Sequence, residues 1–120
     1  MTAKNRNFND YRDFVVEQGS NYTKWNSGKL ECWGRSTLTN AVNTASGSSF
    51  VSNNLTIYYP VDFVGTNPFV TASLMRHDIN GGVTLSTITL KGFVFRVFMT
   101  TSFGAGYPYY VDWHAVGKWK

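Results

Sequence analysis

The sequence predicts an all-β fold, an antiparallel β-sandwich of about six to seven strands. Three observations predict it. Apolar and polar residues alternate with period two through residues 51–59, 83–90 and 92–101, the pattern of strands with one buried face. Charged residues are only 15% of the chain while aromatics reach 17%, with 11 Gly and many Thr, Ser and Asn, a composition that favours strands and turns over helices. Turn signals recur roughly every 8–15 residues, and no convincing helix follows residue 19.

Each element follows from local chemistry. Residues 1–9 are polar and read as a tail or linker, so the domain is placed at 10–120. Residues 11–19 carry both helical and strand spacing; Asp13-Phe14-Val15-Val16-Glu17 before Gly19 favours a strand. Tyr22-Thr-Lys-Trp25 and the segment from Lys29 to Arg35 flank Asn26-Ser27-Gly28 and form a hairpin, with Gly28 free to take a positive φ. On its second arm Leu30 and Cys32 share one face, while Lys29, Glu31, Trp33 and Arg35 share the other. Residues 37–49 are small and polar, a loop or a ragged strand. In the next strand Val51, Asn53, Leu55, Ile57 and Tyr59 share a face, and Pro60 limits that strand or places it at an edge. Residues 69–75 form another strand and 76–82 a polar loop. Val83, Leu85, Thr87 and Thr89 then share a face. The strand at 92–101 presents Phe93, Phe95, Val97 and Met99 to the core. After a Gly- and Pro-containing loop, Tyr109, Val111, Trp113 and Ala115 alternate against Tyr110, Asp112, His114 and Val116 along the last strand.

At 120 residues one domain with one core is expected. The net charge of +4 would suit a nucleic-acid partner, but the basic residues are scattered and read as a solvated surface. Lys91-Gly-Phe-Val-Phe-Arg-Val-Phe98 comes close to an RNA-binding octamer. Val94 and Arg96 break that pattern, and the chain offers no helices to back the sheet, so no nucleic-acid partner is expected. The single cysteine, Cys32, excludes an internal disulfide and reads as a small core residue. No apolar stretch is long enough to span a membrane as a helix, and the first residues lack a signal-peptide core.

Two stretches, DFVVEQGSNYTKWNSGKLECWGR and YYVDWHAVGKWK, together resemble the C-terminal domain of tail-fibre and receptor-binding proteins of bacteriophages and prophages. The match falls on Val16, Glu17, Gln18, Gly19, Tyr22, Lys24, Trp25, Gly28, Glu31, Cys32, Trp33 and Gly34, and at the end on Val111, Trp113, Ala115, Gly117, Trp119 and Lys120. From Ile57 onward the chain is also similar to the H-type lectin pattern, through Pro68, Val70, Asp78, Gly92, Phe93, Val111, Trp113 and Ala115. H-type lectins are antiparallel sandwiches that form trimers and bind sugars between subunits. This chain departs from them at the binding positions. It has no Arg in 83–90, and Phe98-Met99-Thr100 stands where a Trp is expected. The resemblance therefore implies the fold and a homotrimer, without an inherited sugar specificity.

Catalysis has little support in the residues. After Glu31 the carboxylates are Asp62, Asp78 and Asp112, far apart in sequence, where a glycosidase needs two facing each other. The expectation is a non-enzyme with no cofactor and no metal. Binding has better support. Arg76, His77 and Asp78 offer directional hydrogen bonds, and Tyr107 and Tyr109, flanking Pro108, offer flat rings for the apolar face of a sugar. These five residues are the candidate saccharide site. The resemblance then implies a phage tail-fibre tip that binds a bacterial surface glycan as a homotrimer, alongside other phage tail proteins. It implies residence in the virion, after synthesis in the bacterial cytoplasm without a signal peptide. A non-binding trimerisation cap and a free-standing lectin are the alternatives.

Overall fold

The computed structural model describes residues 13–76 and 78–120. The expected tail at 1–9 and His77 lie outside the described residues. The described chain is all-β. Its strands are β1 (Val15–Gln18), β2 (Tyr22–Trp25), β3 (Lys29–Leu38), β4 (Thr44–Ser46), β5 (Ser49–Val51), β6 (Leu55–Tyr58), β7 (Phe69–Met75), β8 (Gly81–Ile88), β9 (Gly92–Met99) and β10 (Tyr109–Lys118). They form two antiparallel sheets packed as a sandwich. The first runs β1-β2-β3-β10-β7. The second is built on β9, with β8 along one edge and β6 and β5 in tandem along the other, and β4 outside β5.

The core lies between the two central strands. Phe93, Phe95, Val97 and Met99 of β9 are fully buried, as are Tyr109, Val111 and Ala115 of β10, with Trp113 at 8% exposure. Trp113 packs its ring 5.8 Å from Phe93 and 6.0 Å from Tyr59. Tyr59 meets Phe63 edge to face at 4.9 Å, an arrangement the ring quadrupoles favour. Phe93 and Phe95, two rings that an RNA reader would need on an open face, are therefore core, as the alternation predicts. Gly34 on β3 is a packing requirement: a Cβ there would stand 2.9 Å from Trp113 Nε1. Gly28 closes the β2–β3 hairpin at φ 101°, a conformation that favours glycine.

Two expected alternations break. Residues 51–59 are not one strand, because Ser52 interrupts the ladder between β5 and β6. Its N–H donates to the Val97 carbonyl at 2.9 Å, and its buried hydroxyl accepts the Val97 N–H at 3.0 Å, so a side chain stands in for a backbone acceptor. On β8 the register shifts between Leu85 and Thr87. This bulge turns the following side chains over, so Ile88 and Leu90, rather than Thr87 and Thr89, pack against the core. The small polar stretch at 37–49 holds β4 and the start of β5, and it also buries Val42 completely. Val42 bridges Phe103 through two backbone hydrogen bonds of 2.8 and 2.9 Å. These short pieces bring the described strands to ten.

Candidate functional site

The outward face of the first sheet is where the described residues gather exposed rings and paired charges. The pairing register builds it in rows. Glu31, Val116 and Phe69 stand side by side, then Trp33, His114 and Thr71, then Arg35, Asp112 and Ser73, then Thr37, Tyr110 and Met75. Each side chain points outward because its strand neighbours on β3, β10 and β7 point into the core.

At one end of this face lie the loops flagged by the sequence. Arg76 Nε and Nη2 donate to the two carboxylate oxygens of Asp78 at 2.8 and 3.3 Å, the fork geometry that fixes a guanidinium plane. Its Nη1 donates to the Pro108 carbonyl. The guanidinium lies 4.8 Å from the Phe103 ring centroid, and Phe103 in turn packs against Tyr107 at 5.7 Å. Tyr107 is 60% exposed. Met75, Arg76, Pro108 and Tyr110 line a hollow of about 350 Å³ here. The structure thus brings Arg76, Asp78 and Tyr107 to one end of the domain.

Tyr109 is the correction. It is fully buried, its hydroxyl donates to the Asn40 carbonyl at 3.0 Å, and burial raises its pKa. Strand alternation turns its ring into the core, so it offers no face to a ligand. Its neighbour Tyr110 takes the outward position.

The centre and far edge of the face were not singled out by the sequence. Arg35 donates from Nε and Nη2 to Asp112 at 2.6 and 2.8 Å and lies 5.3 Å from the Tyr110 ring. The Arg35 hydrogen bond holds the Asp112 carboxyl below its ordinary pKa. Partial burial pushes Glu31 up, but hydrogen bonds from His114 and Lys29 together outweigh it and leave its pKa lowered; His114 Nε2 is 3.1 Å from Glu31. Thr71, Ser73, Asp112 and His114 border a shallow depression of about 330 Å³. Beyond β3, a further hollow of about 270 Å³ is bordered by Asn21, Trp33, Arg35, Ser36 and Tyr58. Trp33 is 37% exposed and Tyr58 74%.

Among the described residues no group of three or more His, Cys, Asp or Glu side chains could hold a metal ion. The buried Cys32 thiol, pushed up to about 11 by desolvation, is not a ready nucleophile. No protein-family model, curated protein or solved structure matches the chain.

Proposed function

We propose that the chain is the receptor-binding tip domain of a phage tail fibre, which acts as a homotrimer and binds a bacterial cell-surface saccharide. The tail-fibre part rests on the two sequence stretches at 13–35 and 109–120. The observation that carries the binding part is the end of the first sheet, where Arg76 is held between Asp78 and the Pro108 carbonyl while Tyr107 stands exposed beside it. Directional polar groups fixed next to a flat, partly wet ring match the two kinds of surface on a sugar. Loops can carry such groups without disturbing the core beneath them.

Self-association is supported by an apolar patch at the opposite end of β7. Phe69 is 86% exposed, Val64 is 40% exposed, and Val116 lies opposite Phe69 in the register. An apolar patch of this kind suits a partner surface, and closed symmetry would let one patch serve every subunit. Linked sites would raise the avidity of individually weak sugar contacts. The same patch would also serve a structural cap that binds nothing. Retention of the purified chain on a panel of bacterial cells separates the two readings. Retention that is lost in Arg76→Ala and Tyr107→Ala chains supports the recognition domain; a chain that self-associates but is retained by no cell or purified surface polysaccharide supports the cap.

A further inference from the structure

Two hollows on the first sheet and a third at the seam between β3 and β6 adjoin one another. Arg35 borders the hollow beyond β3, and its carboxylate partner Asp112 borders the central depression. Tyr110, beneath the Arg35 guanidinium, borders the hollow at Arg76. The Arg35–Asp112–Ser73 and Thr37–Tyr110–Met75 rows are successive in the register, so the path crosses β3, β10 and β7 without a gap. At ~4.8 Å per strand it covers roughly 10 Å between β3 and β7 alone, longer than one sugar ring.

We propose that these hollows are successive subsites for one neutral saccharide chain, lying across the strands from the Trp33–Tyr58 edge, over the Arg35–Tyr110 stack, to the Arg76–Tyr107 end. This rests on the saccharide reading above and adds to it the length and charge class of the ligand.

Charge selects the class. Arg35 is bound by both Asp112 oxygens and Arg76 by both Asp78 oxygens. Each guanidinium is already neutralised by a carboxylate, so an anionic sugar would gain little net attraction and would meet the Asp oxygens beside it, whereas a hydroxyl can accept from or donate to the edge of the pair as it stands. The rings at the two ends supply apolar platforms: Trp33 and Tyr58 at one, Tyr107 at the other.

The edge of β3 adds fixed polar groups. The Trp33 N–H donates to the Asn21 carbonyl at 3.1 Å, and Asn21 Nδ2 donates to the Trp33 carbonyl at 3.0 Å. Two residues on, Arg35 directs its backbone N–H and C=O the same way. β2 pairs with β3 only from Leu30 to Cys32, so no described strand pairs with the Arg35 groups on that side, and Arg35 borders the hollow. Rigid backbone donors and acceptors suit hydroxyls of fixed stereochemistry.

The test uses the full chain on an array of purified bacterial surface polysaccharides, followed by titration with size-fractionated fragments of whichever polysaccharide is bound. The expected result is retention by a neutral polysaccharide and an affinity that climbs with fragment length. Tyr58→Ala should flatten that climb and weaken the longest fragments about three- to tenfold, the range an aromatic contact supplies. Trp33→Ala should act in the same direction. Tyr58 is 74% exposed, so its removal leaves the fold intact, and an unchanged unfolding midpoint checks this. Binding that Tyr107→Ala weakens but Tyr58→Ala and Trp33→Ala leave unchanged at every length overturns the extended track and leaves the end site standing. Retention only by anionic polymers overturns the neutral class. Retention by no polysaccharide overturns both the track and the saccharide reading beneath it.

Discussion

Arg35 and Asp112, 77 residues apart in the chain, lie opposite each other on β3 and β10 and share two hydrogen bonds of 2.6 and 2.8 Å. The pair joins the two hollows on either side of it and sets the charge of the face they share. Its contribution to stability has a defined pH sign. Asp112 titrates below its ordinary value of 3.8 when folded, because of the Arg35 hydrogen bond. The unfolded chain therefore binds the proton first as pH falls. The pair's contribution is complete above the unfolded value and is lost as pH falls through the folded one. Asp112→Asn should destabilise the chain slightly at neutral pH, as exposed pairs do. The gap in urea midpoint between the two proteins should close in acid.

The packing of β9 on β10 predicts a much larger effect from within. Phe93 is fully buried and touches the rings of Tyr59, Phe95 and Trp113. Phe93→Ala should cost about 3–5 kcal/mol in urea unfolding, from lost transfer energy and the cavity left behind. Tyr107→Ala, at an exposed loop position, should stay within about 0.5 kcal/mol of the parent.

Gly34 reports the same core from its edge. A methyl group at this position would meet Trp113 Nε1 at 2.9 Å, so Gly34→Ala must displace the indole or the strand. A loss of about 1–3 kcal/mol is expected from overpacking, with a change in tryptophan emission that marks the moved ring.

Cys32 should behave as a core residue and not as a reagent. It is fully buried with its thiol pushed up to about 11. A thiol-modifying disulfide should leave it untouched in the native chain at mildly alkaline pH and label it once the chain is unfolded in urea. Fast labelling of the native chain would contradict the packing.

Phe69 tests self-association separately from binding. Phe69→Asp should leave each chain folded, with an unchanged far-UV circular dichroism spectrum, since the ring is 86% exposed in the single chain, while the unfolding midpoint falls by whatever the assembly contributed. Light scattering should then fall from about three chain masses to one, as expected when a closed assembly loses its apolar contact.

Much of the fold was legible because short-range alternation sets it. The inward sets on β9 and β10 follow directly from period two, as does the β2–β3 hairpin from Asn26-Ser27-Gly28. What failed were the places where a single residue resets the period. Ser52 breaks a strand by offering its hydroxyl to the ladder, and the bulge after Leu85 reverses faces; neither has a local signature stronger than an ordinary Ser or Thr. Tyr109 was misplaced by its setting. Its position beside Pro108 read as a loop edge, while its strand parity, also in the sequence, already pointed inward. Arg76 and Asp78 were found because two residues in one loop can reach each other. Arg35 with Asp112, and Trp33 with Tyr58, needed the pairing of distant strands and the seam between the sheets, which no local pattern encodes.

The central claim is that the outward face of the first sheet is the saccharide-binding surface. Amide NMR of the labelled chain, titrated with polysaccharide from a bacterium that retains it, tests this most directly. The account predicts shifts concentrated on Trp33, Arg35, Tyr110, Asp112 and the Arg76–Asp78 loop, with β8 and β9 unchanged. Shifts confined to the second sheet, or a spectrum that does not move, would contradict it.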